Sequence, residues 1–133
     1  MEAKELRIGN YVNNEQRTEV IDAIDPYRVQ CHLLSDKTRE TLYEVPLQFI
    51  KPILLTEDWL LKFGFEKNED DYNFKGFCLE DRNADPFLPE QRKLQLKDSF
   101  GVWRNNHFLT NIKHLHQLQN LYFALTNDEL IIK

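Results

Sequence analysis

The chain of 133 residues fits one compact domain, or a small module joined to a slightly larger one. Hydrophobic residues make up 41% and aromatic residues 12%, which supplies enough apolar surface to offset the entropy lost on folding and excludes global disorder. A formal net charge of −5 argues against a surface that holds nucleic acid by counterion release, so nucleic acid is not an expected partner.

The amino-terminal stretch "MEAKELRIGN" has no basic segment followed by an apolar one, and no apolar run approaches the roughly 18 residues of a membrane span. We therefore expect a cytoplasmic protein without membrane contact. Cys31 and Cys78 stand apart, without C-x-x-C spacing, which is typical of reduced and mostly buried thiols.

Residues 6 to 50 have the pattern of four or five short strands. Apolar and polar residues alternate from Tyr27 to Leu33, as in a strand with one buried face. Turn-forming residues at 13–16, 25–26 and 35–37 separate the strands at short intervals. Gly9, inside the first predicted strand, suits a bulge or a close approach of the backbone. This pattern predicts a small curled sheet or an SH3-like β-barrel.

The stretch "LLTEDWLLKFGF" at 54–65 predicts a short helix with defined ends. Thr56 is a suitable N-cap residue, and the acidic residues that follow it lie at the positive end of the helix dipole. Gly64 suits the left-handed conformation that ends a helix. Trp59, Leu60 and Phe63 form an apolar stripe that is expected to pack against a sheet.

Residues 66–73 and 81–92 are charged and rich in turn-forming residues, so both are predicted to be surface loops. Their acidic clusters lack the alternation of a calcium-binding EF-hand loop and are expected to be solvated. Strands are predicted at 73–79, 93–97, 100–103 and 107–110, and together they would form an antiparallel meander.

The closing stretch "HLHQLQNLYFALTNDEL" at 114–130 predicts a helix with two distinct stripes. The apolar side chains of the first stripe fall within an arc of about 120° and are expected to face the core; they are Leu115, Leu118, Leu121, Tyr122 and Leu125. His116, Asn120 and Phe123 form the second stripe, with Gln119 beside it. An exposed ring beside polar groups suits a partner or ligand groove, and it equally suits a second core face. Asn127 is expected to end the helix.

Motifs for catalysis and metal binding are missing from the chain. His114 and His116 diverge by about 200° on a helix, whereas helical zinc pairs need i, i+4 spacing. The sequence contains no G-x-S-x-G nucleophile motif and no glycine-rich phosphate loop. We therefore expect no metal site, no cofactor and no catalytic residue, and a protein that is not an enzyme.

Three segments of the chain carry a pattern in common with other proteins: "ELRIGNYV" at 5–12, "ILLTEDWLLKFGFEKN" at 53–68 and the closing stretch at 114–130. Together they resemble a family of small uncharacterised proteins found widely in bacterial and bacteriophage genomes. The family's members carry an L-R-I-G-N start, a P-L-T-E-E-W-L-L-K-F-G-F middle and an H-Q-L-Q-N-L-Y-F-A-L-T closing helix. Leu54 stands where the family usually has Pro, and Asn127 where it usually has Gly. The resemblance implies an accessory or mobile-element protein with no known reaction.

The order of these elements predicts an α+β fold. An SH3-like barrel or curled sheet in residues 1–53 is followed by a second part in residues 54–133, which contains the short helix, the antiparallel meander and the C-terminal helix that packs on it. The alternative is one continuous compact domain.

Three functions are compatible with the sequence. The leading hypothesis is a non-catalytic binding or regulatory protein that contacts a protein partner or its own copy through His116, Asn120 and Phe123. The second is a small-ligand binder that holds a nucleotide with Tyr11, Trp103, Arg104 and His116. The third is a weak nucleic-acid-binding module that uses the mixed basic and aromatic residues of 27–43.

Overall fold

A computed structural model describes residues 1–133 and shows an α+β fold with two antiparallel sheets and three α-helices, which confirms the predicted class. Contacts within the chain define two compact units, and both are discontinuous in sequence. The first unit contains residues 1–54 and 115–129, and the second contains residues 55–114 and 130–133.

The first unit contains a four-stranded sheet with the order β1-β2-β3-β4. Its strands are β1 (Tyr11–Asn14), β2 (Arg17–Ile24), β3 (Arg28–Leu33) and β4 (Tyr43–Pro46). Because β1 and β4 do not pair, the sheet does not close into a barrel. Of the two predicted alternatives, the curled sheet therefore agrees with the structure and the SH3-like barrel does not.

One face of this first sheet forms an apolar core with the segments that flank it. The buried residues of the core are Leu6, Val12, Ile21, Val29, Cys31, Val45, Leu47 and Ile50. The first strand begins at Tyr11 and not at Leu6 as predicted, because residues 3–5 form a 3-10 turn and Gly9 has a φ of 95°. Gly9 thus belongs to a turn before the strand, where a side chain is strained.

Helix α1 (Glu57–Phe63) confirms the best-defined sequence prediction. Thr56 is its N-cap residue, although the Thr56 side chain makes no capping hydrogen bond, and Gly64 ends the helix with a φ of 98°. Leu60 and Phe63 are fully buried, as the apolar stripe requires.

The second unit contains a five-stranded sheet with the order β5-β6-β7-β8-β9. Its strands are β5 (Glu66–Asn68), β6 (Asp71–Phe74), β7 (Phe77–Asp81), β8 (Phe100–Arg104) and β9 (His107–Ile112). The predicted loop at 66–73 is instead a hairpin of β5 and β6. The predicted single strand at 73–79 is divided by a turn at Lys75 and Gly76, whose φ values are 46° and 85°. Two adjacent positive φ values are what a tight two-residue hairpin requires.

Residues 93–97 were predicted to form a strand, and this prediction is wrong. Residues Glu90–Gln95 form helix α2, and Leu94 is 81% exposed. A strand needs a hydrogen-bonding neighbour, whereas a helix forms backbone hydrogen bonds within its own segment, here from the Lys93 N–H to the Pro89 carbonyl at 3.0 Å. The Lys93–Glu90 ion pair at 3.0 Å also matches helical i, i+3 spacing.

Helix α3 (Leu115–Thr126) is followed by Asn127 with a φ of 61°, as predicted. The contacts place this helix with the first sheet, whereas the sequence boundary at 53/54 assigned it to the second part. The last four residues form no strand, yet Leu130 is buried in the second unit. None of the helices is both long enough and apolar enough to cross a bilayer.

Candidate functional site

The buried face of α3 is rotated relative to the arc expected from leucine spacing. Leu115, Leu118 and Tyr122 are buried as predicted, but Leu125 is 39% exposed. The polar side chains of His116 and Gln119 are buried instead. Polar groups on a buried face need hydrogen-bond partners, so we expect the side-chain amides of Gln119 and Asn120 to form hydrogen bonds within the chain.

Those partners come from the amino-terminal segment of the same unit. Gln119 Oε1 accepts a hydrogen bond from the Tyr11 backbone N–H at 2.8 Å. Asn120 Oδ1 accepts from Asn10 Nδ2 at 2.8 Å, and Asn120 Nδ2 donates to the Glu5 carbonyl at 3.1 Å. Residues 5–11 and helix α3 are thus hydrogen-bonded to each other within this chain.

Phe123 is also covered from within the first unit. The Arg7 guanidinium carbon lies 4.1 Å from the centre of the Phe123 ring, and Arg7 Nη2 donates to Glu129 Oε2 at 2.9 Å. A Cβ at Gly9 would lie 3.2 Å from the same Glu129 carboxylate, so this turn approaches the end of the helix closely. In the stripe, His116 is buried, Asn120 is hydrogen-bonded to residues 5 and 10, and Phe123 is covered by Arg7. The stripe therefore packs within the first unit as a second core face.

The four residues proposed to hold a nucleotide are distributed over both units. Tyr11 and His116 are buried in the first unit, each about 4% exposed, whereas Trp103 and Arg104 belong to the second. Trp103 and Arg104 are neighbours on β8, so their side chains lie on opposite faces of the sheet. The Arg104 guanidinium lies 5.0 Å from the centre of the Phe77 ring. Of the four, Trp103 lines a cavity on the second sheet.

That cavity, of about 780 Å³, lies on one face of the second sheet. Strand pairing places Glu66 opposite Asn73, Asn73 opposite Cys78, and Cys78 opposite Trp103. A second row, one pleat away, pairs Asp71 with Glu80 and Glu80 with Gly101. The opposite face carries the buried residues Tyr72, Leu79 and Val102. We call the face with the cavity, defined by Glu66, Asp71, Asn73, Cys78, Glu80 and Trp103, the acidic face.

The acidic face has an excess of negative charge. Three carboxylates and one ammonium group line the cavity, which gives a local net charge of −2; these residues are Glu66, Asp71, Glu80 and Lys75. Glu80 lies 3.7 Å from Arg82, whereas the side chains of Glu66 and Asp71 form no ion pair or hydrogen bond within the chain. Two carboxylates are therefore available to a ligand.

The Arg82 side chain lies at the edge of the acidic face and is held there by several polar contacts. Its Nε donates to Asn111 Oδ1 at 2.9 Å, and its Nη1 lies 3.5 Å from Asp85. The guanidinium crosses the sheet at Gly101, where an added Cβ would lie 2.5 Å from Arg82 Nη2. A side chain at position 101 would therefore displace the Arg82 guanidinium from this place over the sheet.

Trp103 is one of the aromatic residues that line the cavity, with Phe74 and Phe77. Its ring meets Phe108 edge-on with centroids 5.2 Å apart, and no cation of the chain lies over the indole. The neighbouring Phe108 ring already carries the Arg82 guanidinium, 5.5 Å from its centre.

The thiol in the cavity is not an activated nucleophile. Burial raises the pKa of Cys78, and the nearby carboxylates of Asp71 and Glu80 raise it further. A thiol reacts as the thiolate, so a raised pKa lowers its reactivity at neutral pH. In the first unit, burial followed by the charges of Glu19 and Asp22 raises the pKa of Cys31 to about 12.

A histidine and an aspartate form a second polar cluster, on the first sheet. His32 Nδ1 lies 2.6 Å from Asp22 Oδ2, and Arg39 is hydrogen-bonded to the same carboxylate. Cys31 is adjacent to His32 on β3 and therefore lies on the opposite face. The structure places no group of three or more His, Cys, Asp or Glu side chains in a metal-binding arrangement.

The sequence pattern indicated Trp103 as a candidate binding residue but did not indicate the carboxylates around it. It assigned Glu66 and Asp71 to a solvated loop, because the short strands that carry them are rich in charge. Their alternation with Tyr72 was the available signal, since Tyr72 is the buried residue between two polar ones. Comparisons with protein families, with curated proteins and with solved structures find no match to this chain.

Proposed function

We propose that this protein is a non-catalytic binding module that contacts a protein partner through the acidic face of its second sheet. The observation that carries the proposal is a concave surface that combines an indole with two carboxylates lacking any partner in the chain. Aromatic rings with a polar surround are typical of protein-binding surfaces. The opposite side of the same sheet is packed, since Tyr72, Leu79 and Val102 are buried there.

The surroundings of the thiols support a binding role over catalysis. Both cysteines have a raised pKa, and Cys31 lies on the face opposite the His32–Asp22 pair. A cysteine nucleophile needs a lowered pKa and a base within hydrogen-bonding reach. The acidic face is also unsuited to a nucleotide, because the excess negative charge would repel the phosphate groups.

The cellular role that we propose is that of a cytoplasmic accessory protein of bacteriophage or mobile-element origin. The three segments that resemble such a family support this role. The contacts of α3 with residues 5–11 explain why two of these segments belong together, since each supplies the hydrogen-bond partners of the other.

The proposal is tested by recovering the partner from the native host with tagged wild-type protein and two variants. Trp103→Ala removes the indole of the acidic face, and Tyr27→Ala removes an aromatic ring that is 80% exposed on the first unit. We expect Trp103→Ala to lose the partner and Tyr27→Ala to retain it. Hydrogen exchange of the recovered complex should show protection in β7 and β8.

Retention of the partner by the Trp103→Ala protein would contradict the proposal, as would protection confined to the first unit. Circular dichroism of both variants controls for unfolding.

A further inference from the structure

The charges and the aromatic ring of the acidic face point to a particular ligand group. Cations are attracted both by carboxylates and by the face of an indole, and tryptophan is the strongest of the aromatic side chains in this respect. Residues two apart on a strand are about 7 Å apart, which places the Asp71–Glu80 row one step from the Cys78–Trp103 row. By this register Glu80 is the diagonal neighbour of Trp103, and Asp71 lies opposite Glu80 on the next strand, so a cation on the indole has both carboxylates on the same face of the sheet.

The chain already shows this arrangement beside the cavity. Arg82 lies over the Phe108 ring while its nitrogens contact Asn111, Glu80 and Asp85. Six further rings in the chain are approached by a Lys or Arg group, but Trp103 is not among them. Trp103 contacts the Phe108 ring edge-on but, unlike Phe108, has no Lys or Arg group over its face.

Resting on the proposed function, we propose that the acidic face binds an arginine side chain of the partner, with the guanidinium stacked on Trp103 and hydrogen-bonded to Asp71. A guanidinium fits better than an ammonium because it is planar, is less strongly hydrated and donates two parallel hydrogen bonds to a carboxylate. Glu66 and Glu80 supply further negative charge, and Lys75 at the turn is the one cation in the lining.

The test uses three short capped peptides that differ at one central position, with arginine, lysine or citrulline. Citrulline has nearly the shape of arginine but no charge. Binding is followed by the indole N–H signals in nuclear magnetic resonance spectra, and Trp59→Phe assigns them, since Trp59 and Trp103 are the two tryptophans. We expect the arginine peptide to shift the Trp103 signal saturably, and to bind at least tenfold more tightly than the citrulline peptide.

Matched variants locate the carboxylate. Asp71→Asn is expected to weaken binding of the arginine peptide by about threefold to fivefold, the upper part of the range for a single exposed charge pair. Asp70→Asn makes the same charge change at the adjacent exposed turn residue and should leave binding within about twofold of wild type. Higher salt should weaken binding to the wild type and should have less effect on the Asp71→Asn protein.

Equal binding of the citrulline peptide, equal binding of the lysine peptide, or an equal loss with Asp70→Asn would each overturn the inference. If the recovered partner still protects β7 and β8 while the arginine peptide shows no binding, the proposed function stands and the arginine inference fails. If the partner protects another surface, the proposed function fails as well.

Discussion

At the scale of single residues, the amides of α3 show how a pattern typical of recognition can serve folding. Gln119 is fully buried, and its Oε1 accepts the backbone N–H of Tyr11, the first residue of β1. An edge strand that meets a helix cannot leave its N–H groups unpaired, because each buried and unpaired donor destabilises the fold. The glutamine side chain satisfies that donor, 108 residues away along the chain.

Replacing this glutamine should therefore lower stability. Gln119→Leu keeps the approximate size but leaves the Tyr11 N–H without its acceptor, and we expect a loss of about 1–3 kcal/mol in the free energy of unfolding. Urea denaturation followed by circular dichroism measures the change. Gln117→Leu, at an exposed position of the same helix, is the matched control and should change stability by less than about 0.5 kcal/mol. An equal effect of both substitutions would contradict this account.

The thiols give a second prediction at this scale. Since burial raises the pKa of Cys31 from 9.0 to about 12, the folded state holds its proton more tightly than the unfolded state does. Its contribution to stability is fully present below pH 9.0 and is lost as the pH rises towards about 12. We expect Cys31→Ala to show a smaller fall in stability across that range than wild type.

The measurement is the pH dependence of urea unfolding between those two values, which separates titration from the cost of removing a buried sulfur. In the native protein at neutral pH, Cys31 should react with a thiol reagent far more slowly than after unfolding. Rapid labelling of native Cys31 would show that the thiol is accessible or ionised.

At the scale of elements, the helices with clear end signals and the strands β8 and β9 were predicted correctly, whereas the hairpin of β5 and β6 was predicted to be a loop. Helix α1 has an acidic first turn, a left-handed Gly64 and a buried stripe, so several local signals agree. The strands β5 and β6 have three and four residues, and most of their side chains are polar because they lie on the acidic face or at an edge. Alternation over so few residues carries little information, and pairing within the sheet decides the structure.

The stripe of α1 can be tested at two adjacent positions. Leu60 is fully buried and Leu61 is 47% exposed, although both stand in the middle of the same helix. Leu60→Ala should lower the free energy of unfolding by about 2–5 kcal/mol through lost contacts and a cavity, whereas Leu61→Ala should change it by less than about 1 kcal/mol. Denaturant unfolding compares them directly. Comparable losses at the two positions would mean that the helix is rotated from its described orientation.

At the scale of the whole molecule, the chain passes between the two units three times, after residues 54, 114 and 129. The first unit is incomplete without α3, because the hydrogen-bond partners of Asn10 and Tyr11 come from Asn120 and Gln119. The sequence pattern suggests a boundary between residues 53 and 54. Cutting the chain there would separate the first sheet from helix α3, which belongs to the same unit.

We therefore expect a fragment of residues 1–54 to be unfolded on its own. It would lose the contacts of Arg7 with Phe123 and Glu129 together with those of the two amides. Nuclear magnetic resonance spectra of the fragment should show little dispersion of the amide signals. Adding a peptide of residues 115–129 should restore dispersion if the helix completes the unit. A fragment that folds cooperatively by itself would support the sequence boundary instead.

The sequence by itself determined the α+β class, the limits of α1, the end of α3 at Asn127 and the half-buried character of β3. These features follow from local signals: caps, positive φ at particular residues, and periodicities that extend over a full element. The tertiary structure decided the openness of the first sheet, the helical state of 90–95 and the partners of the α3 amides.

The tertiary structure also decided which polar residues surround Trp103. The physical reason is that hydrogen bonds and charges between residues distant in sequence depend on strand register. Register is fixed only when the sheets and the core form together.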